Sequence, residues 1–176
     1  MGKEGVVIDF IKENNVKKFA EIGVWKAKFC KRVLESTGDQ IEEYWAIDPW
    51  DINLAFSQVE RRRTPLKWFQ MHYHCCSQMM YFPQLKVVKM TSEQACEIFP
   101  DGYFDMVYID TVHTFDHVWA DIEYWLPKVR KGGIIGGHDY GYRGWPEVKE
   151  AVDKYFGEEN LEEISRVDLG VWAKRL

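Results

Sequence analysis

The chain has 176 residues, of which 23 are basic and 28 acidic, so its formal net charge is −5. This length and an apolar fraction of 46% fit one globular domain over residues 1–176 and exclude disordered or collagen-like chains. The acidic balance argues against a nucleic-acid partner. No apolar run reaches the roughly 18 residues of a membrane span, and the N-terminus does not resemble a signal peptide. We therefore expect a cytoplasmic protein without a membrane partner.

Short apolar runs alternate with helical patterns along the chain. A short amphipathic helix is predicted to end near Asn14-Asn15. Apolar strands are predicted at 18–23, 44–48, 85–89, 104–110 and 132–137. Between and after them, helices are predicted around 29–34, 66–80, 95–98, 118–125 and 148–155.

This alternation predicts an α/β fold. Nearly continuous apolar strands separated by helices indicate a mostly parallel, doubly wound, Rossmann-like sheet with helices on both faces. Residues 161–165 and 167–173 are joined too closely for a parallel crossover, so we predict that they form an antiparallel C-terminal hairpin. The expected sheet has about seven strands.

Residues 51–84 form the longest stretch without a strand, and we interpret them as a substrate-binding insertion. Thr64 is predicted to cap a helix that starts at Pro65. Apolar residues at steps of three and four predict its buried stripe: Leu66, Phe69, Tyr73, Cys76 and Met80. Arg61-Arg62-Arg63, just before the helix, either contacts an acidic substrate or forms a solvated turn, and we expect the turn.

Acids or glycine turns follow several of the predicted strands. They are Glu21 to Gly23, Asp48, Asp110 to His113, and Gly137 to Asp139. In an open parallel sheet, ligands bind outside the carboxyl ends of the strands, so these residues predict the site.

The first turn lacks the G-x-G-x-x-G pattern of dinucleotide sites. Glu21 would repel a pyrophosphate there but suits a cationic amine, and Asp48 can accept both hydroxyls of a ribose. A ribose and an amine without pyrophosphate describe S-adenosylmethionine better than NAD.

The runs 20–26, 47–50, 104–110 with His113, and 132–140 resemble the class I S-adenosylmethionine-dependent methyltransferases. More closely, they are similar to methyltransferase family 24, relatives of cephalosporin-hydroxylase-like and macrocin-type O-methyltransferases. The resemblance extends from about Val16 to Phe156. It implies these cofactor-binding residues: Glu21, Gly23, Trp25, Asp48, Pro49, Trp50, Thr91, Ser92 and Asp110.

The resemblance also implies where chemistry would occur. In related metal-dependent O-methyltransferases, positions matching Asp110, His138 and Asp139 hold magnesium, although an imidazole ligand favours transition metals. His113 stands where catechol-type enzymes carry a lysine base, and an imidazole can act as a general base at neutral pH. The catalytic prediction is therefore His113 with Asp110 and Asp139. A metal-free pocket and a structural His113 remain alternatives.

The leading hypothesis is methyl transfer from S-adenosylmethionine to a small-molecule acceptor, expected at oxygen, with divalent-metal assistance left open. One alternative is a metal-dependent hydrolase that uses Asp110, His113, His138 and Asp139. Another is an S-adenosylmethionine-binding module without turnover. His113, His117 and Asp121 share a predicted helix face that we expect to be solvated. A homo-oligomer is left open, since a second subunit could complete the acceptor site.

Overall fold

A computed structural model describes residues 3–54, 63–162, 164–165, 168 and 170–176. Its strands are β1 (Lys18–Ile22), β2 (Glu43–Ile47), β3 (Leu85–Val88), β4 (Phe104–Ile109), β5 (Val129–His138) and β6 (Val171–Arg175). Its α-helices are α1 (Lys3–Glu13), α2 (Lys28–Thr37), α3 (Pro65–Gln78), α4 (Ser92–Cys96), α5 (Phe115–Trp125) and α6 (Pro146–Phe156). The predicted alternation of strands and helices is confirmed.

The strand order is β3-β2-β1-β4-β5-β6, and only the β5–β6 pair among these is antiparallel. The order reverses between β1 and β4, which is the crevice where doubly wound sheets bind ligands. Two buried clusters pack on opposite faces of the sheet. Helices α1, α2 and α3 contribute to one cluster, and α4, α5 and α6 contribute to the other. The doubly wound, Rossmann-like prediction is therefore confirmed.

The predicted antiparallel C-terminal pair is confirmed, but its two strands are β5 and β6, so the partner of the last strand is not the predicted segment 161–165, and the described sheet has six strands rather than about seven. Strand β6 pairs with β5, and the described residues of 161–165 form no strand. Glu162 N–H donates to Ala173 O at 2.9 Å, but Ala173 N–H donates to the Ser165 hydroxyl at 2.8 Å. A side chain thus takes the backbone donor that a ladder would use. Val167, predicted to begin the second strand, lies outside the described residues.

The predicted buried stripe of α3 is also wrong. Leu66, Phe69, Tyr73 and Met80 are exposed, with Met80 at 84%. The buried residues are Trp68, Met71, Cys75 and Gln78. Both sets follow steps of three and four, so periodicity alone does not distinguish between the two apolar faces. The predicted cap is confirmed, since Thr64 Oγ1 accepts from Lys67 N–H at 3.3 Å.

The close approach of β1 to β4 requires a glycine. Gly23 has φ +91°, and a Cβ there would lie 2.0 Å from the carbonyl oxygen of Asp110. Two backbone bonds extend the ladder past the strand ends: Gly23 N–H to Ile47 O at 2.9 Å and Asp110 N–H to Ile22 O at 2.7 Å. The ends of β1, β2 and β4 are therefore held level with one another.

We predict that Gly23→Ala lowers the free energy of unfolding by about 3 kcal/mol or more, since the backbone must shift in addition to adopting a strained φ. Urea unfolding followed by circular dichroism measures this loss. Gly38→Ala is the matched control, because Gly38 also has positive φ but open space around it. The control should lose only about 1–2 kcal/mol. Equal losses in the two variants would contradict the close approach.

Candidate functional site

A cavity of about 610 Å³ opens at the carboxyl ends of β1, β2 and β4. Gly23, Asp48 and Asp110 line its floor. Its walls come from α3, the start of α4, and α5 with the loop before it. The loop after β5 contributes Trp145. The cavity therefore lies at the switch point that the sheet topology selects.

Asp48 fixes the loop that follows β1. One carboxylate oxygen accepts from Val24 N–H at 3.0 Å and from Trp25 N–H at 2.9 Å. The other accepts from Trp50 N–H at 2.7 Å. Three backbone donors thus converge on one carboxylate at the cavity floor. Sequence reasoning had assigned this residue to ribose hydroxyls, not to holding the loop.

Two of the predicted cofactor-binding residues do not line the cavity. Trp50 is 2% exposed, and its indole N–H donates to Trp25 O at 2.8 Å, so it supports the loop from below. Glu21 is equally buried, and the Tyr44 hydroxyl donates to its carboxyl at 2.7 Å. Gly23, Trp25, Asp48, Pro49, Thr91, Ser92 and Asp110 all line the cavity.

Burial dominates the electrostatics of Glu21. Loss of solvent raises the pKa of its carboxyl well above the ordinary value, and the nearby Asp110, Cys75 and Asp48 raise it further. The hydrogen bond from Tyr44 opposes this shift. The shift favours the neutral form of Glu21 in the folded protein.

Three of the predicted catalytic and metal-binding side chains come together around His113. Its Nε2 lies 3.3 Å from Asp110 Oδ1 and 3.1 Å from Asp139 Oδ2. The face of the imidazole stacks on Trp145, with ring centroids 5.0 Å apart. Two carboxylates and one aromatic ring therefore hold this imidazole at the cavity edge.

The side chains that the structure brings together differ from the predicted metal set in one member, with His113 rather than His138 beside Asp110 and Asp139. Atoms of Asp110, His113 and Asp139 that could ligate a metal all lie within 4.8 Å of one another, and this is the one such group in the described part of the chain. His138 Nδ1 instead lies 3.1 Å from the second carboxylate oxygen of Asp139. Asp139 has φ +55°, and the turn there directs its carboxylate between the two histidines. The four residues of the hydrolase hypothesis thus divide into a group of three and His138, which contacts that group through Asp139.

Sequence reasoning missed the role of Asp121. The helix face predicted to be solvated lines the cavity through His117 and Asp121. Asp121 is 5% exposed and accepts a hydrogen bond from the Thr111 hydroxyl. Burial raises the pKa of its carboxyl, and hydrogen bonds from Ser92 and Thr111 oppose the shift. The i, i+4 spacing was the available signal, but spacing does not say what covers a helix face.

Residues 20–140 match the model of methyltransferase family 24, a methyltransferase domain. The match covers more than half of the chain, so the chain belongs to this family. The curated uncharacterized protein y4gI of Sinorhizobium fredii (strain NBRC 101917 / NGR234) is 25% identical over 124 residues. Those residues are 66% of this chain but 12% of that protein, so the chain spans only a small part of the relative's length.

Solved structures share the fold. The S-adenosylhomocysteine-bound methyltransferase PaMTH1 of Podospora anserina aligns with a TM-score of 0.68 at 13% identity, covering 98% of this chain and 77% of that one. The O-methyltransferase NovP aligns with a TM-score of 0.63 at 20% identity, covering 98% and 78%. The O-methyltransferase of Bacillus cereus in complex with S-adenosylhomocysteine has a TM-score of 0.59 at 13% identity, covering 91% and 70%.

In the described ranges, no helix is both long enough and apolar enough to cross a bilayer.

The buried carboxyl of Glu21 generates a prediction about pH. A raised pKa means that the stability it contributes is complete below its unfolded value near 4.5 and is lost as pH rises through the folded value. Glu21→Gln removes this titration and keeps an oxygen for the Tyr44 hydroxyl. Urea unfolding at pH 5 and pH 8 should show the variant gaining on the wild type at the higher pH, by about 1.4 kcal/mol per unit of pKa difference.

The exposed Glu150 supplies the control, and Glu150→Gln should track the wild type at both pH values. A Glu21→Gln difference that does not change with pH would contradict the raised pKa.

Proposed function

We propose that this chain transfers a methyl group from S-adenosylmethionine to a hydroxyl oxygen of a small-molecule acceptor. The observation that carries the proposal is one cavity lined by Asp48, Asp110 and His113 at the switch point of the sheet. Membership of a methyltransferase family supports the reaction class. Fold neighbours described as O-methyltransferases support oxygen as the acceptor atom.

The shape of the site suggests how the cofactor lies. Asp48 follows β2 and lines the cavity, where an acid suits the hydroxyls of a ribose. Thr91 and Ser92 start α4 at one end of the cavity and suit the adenine, while Gly23 and Trp25 suit the amino-acid end. Glu21 is a buried carboxyl that does not line the cavity, so it would influence the amino-acid end of the cofactor without contacting it.

His113 is the proposed base. Carboxylates can only accept, so a neutral imidazole facing two of them carries its proton on Nε2. Nδ1 is then the nitrogen with a free lone pair, and it takes the proton of the acceptor hydroxyl as the oxygen attacks the methyl group. Because the sulfonium already activates the methyl, the protein mainly positions the acceptor and removes this proton.

The same side chains also fit a divalent cation. Asp110, His113 and Asp139 would hold it through two carboxylate oxygens and an imidazole nitrogen, a mixed set that favours a transition metal over magnesium. A cation there would supply a Lewis acid that lowers the pKa of the acceptor hydroxyl. Metal binding requires Nε2 without its proton, so His113 cannot serve as ligand and as the base described above in the same state.

We further propose that residues 1–176 act as a single methyltransferase domain, with 51–84 forming the acceptor wall. Asp51, Leu54 and Trp68 of this segment line the cavity. Trp25, Tyr124 and Trp145 add aromatic surface to the same space. An aromatic wall suits a flat or apolar acceptor.

We predict that Asp48→Asn weakens binding of S-adenosylhomocysteine at least tenfold, because the ribose loses a charged acceptor and the first loop loses an anion that holds two N–H groups. Isothermal titration calorimetry gives the affinity. Asp39→Asn, at an exposed acid, is the matched control and should bind like the wild type. Unchanged affinity in Asp48→Asn would contradict the proposed cofactor site and favour a reaction that does not need Asp48.

We predict that His113→Gln lowers kcat by about 10²–10⁴ and leaves the affinity for S-adenosylhomocysteine within twofold, since the base acts on the acceptor. Formation of S-adenosylhomocysteine with a panel of phenolic and sugar hydroxyl acceptors measures kcat. The exposed His74 provides the control variant His74→Gln. Loss of wild-type turnover on chelation, restored by Mn²⁺, would assign His113 to metal binding instead of to proton removal.

A further inference from the structure

Two positive charges lie over the ring of Trp25, a partly exposed residue that lines the cavity. The Lys26 ammonium lies 4.2 Å from the centroid of the Trp25 ring, and the Arg63 guanidinium carbon lies 5.2 Å from it. Partial burial and then the charges of Arg63, Lys28 and Lys67 lower the pKa of Lys26. We call Lys26, Lys28, Arg63 and Lys67 the basic rim.

No carboxylate compensates this charge within the described residues. In that part of the chain the four cations of the basic rim form no ion pair with an acid, as is also true of dispersed cations such as Lys12 and Lys89. What distinguishes the rim is that Lys26 and Arg63 both lie within 5.2 Å of the same indole ring. Like charges held together without a counterion repel one another. The rim therefore has the electrostatics of a site for an anion.

Two buried hydrogen-bond donors near Trp25 have no partner among the residues that the structure describes. They are Arg63 Nε and the indole N–H of Trp68. Trp68 is 8% exposed, and it lines the cavity together with Trp25. A buried donor left unpaired costs about 1–3 kcal/mol, so native proteins rarely keep one without a reason. Both groups can only donate, which calls for an acceptor.

The interior of the cavity has the opposite character. Asp48, Asp110 and Asp121 line it, and none of its described lining residues is a lysine or an arginine. A ligand that spans the cavity would thus place hydroxyls or a cation inside and an anion at the rim.

We propose that the basic rim and the indole N–H of Trp68 bind a carboxylate or phosphate group of a ligand held in the cavity. Two sources share this chemistry: the amino-acid carboxylate of the cofactor and an anionic group on the acceptor. Only the choice between these sources rests on the proposed function, because the unpaired donors and the cations without an acidic partner are observed among the described residues independently of any cofactor.

The test uses Arg63→Gln and Trp68→Phe, with Lys31→Gln as the control because Lys31 lies on α2 and pairs with Glu35. Calorimetry compares S-adenosylhomocysteine with its decarboxylated analogue. If the cofactor supplies the anion, Arg63→Gln weakens S-adenosylhomocysteine about tenfold and Trp68→Phe weakens it several-fold. The analogue should bind all proteins alike.

If the acceptor supplies the anion, S-adenosylhomocysteine affinity stays unchanged. Inorganic phosphate titrated into the protein, with and without S-adenosylhomocysteine, then binds about tenfold more weakly to Arg63→Gln than to the wild type. Unchanged affinity for both S-adenosylhomocysteine and phosphate overturns the proposal. A wild type that binds phosphate but no S-adenosylhomocysteine contradicts the proposed function and leaves the rim intact.

Thermal unfolding separates binding from folding. Arg63→Gln relieves repulsion with Lys26, so its Tm should equal or exceed that of the wild type. Should Arg63→Gln fail to fold, Lys67→Gln removes a rim cation from an exposed helix position and carries the same phosphate comparison.

Discussion

The contact between the Gly23 backbone and the Asp110 carbonyl is the constraint on which the site depends. It exists because β1 and β4 are parallel neighbours whose connections leave in opposite directions. With no Cβ at Gly23, the two loops diverge from a common point and leave the crevice open. A side chain at that position would separate the ends of the two strands, and the acids that follow β2 and β4 would no longer face one space.

The charge of the side chains changes from acidic inside the cavity to basic beside Trp25. The carboxyl of Glu21 is buried below the cavity surface, carboxylates line the cavity, and the basic rim lies beside Trp25, one of the lining residues. Asp48 serves the frame and the site at once, because its oxygens hold the first loop while remaining within the cavity lining. Such a gradient suits a ligand with hydroxyls at its centre and opposite charges at its ends.

Much of this arrangement could be predicted from sequence because it follows from periodicity and strand order. Strands with continuous apolar runs were recognisable, and the residues after them had to meet at one edge. What could not be predicted depends on contacts between elements. The α3 helix has two faces with apolar residues, and only packing into the buried cluster on that side of the sheet decides that Trp68 rather than Phe69 is buried. Ser165 displaces a ladder bond, so the expected hairpin is not a pair of strands.

Contacts between loops also determine which histidine lies beside Asp110 and Asp139. His138 ends a strand, so its position is predictable, whereas His113 reaches both carboxylates from the loop before α5, whose path strand order does not predict. Glu21 and Trp50 were expected at the cavity surface from their positions in the motifs. Both are buried: Glu21 is hydrogen-bonded to Tyr44, and the Trp50 indole is hydrogen-bonded to the backbone of Trp25. Motif spacing does not predict these contacts.

The central claim is that one cavity at the β1–β4 crevice binds S-adenosylmethionine through Asp48. A crystal structure of the complex with S-adenosylhomocysteine tests it most directly. We predict that the ribose hydroxyls lie within hydrogen-bond distance of the Asp48 carboxylate. The adenine should lie beside Thr91 and Ser92, and the amino-acid end should point towards Trp25. A ligand bound elsewhere, or a ribose that does not contact Asp48, would contradict it.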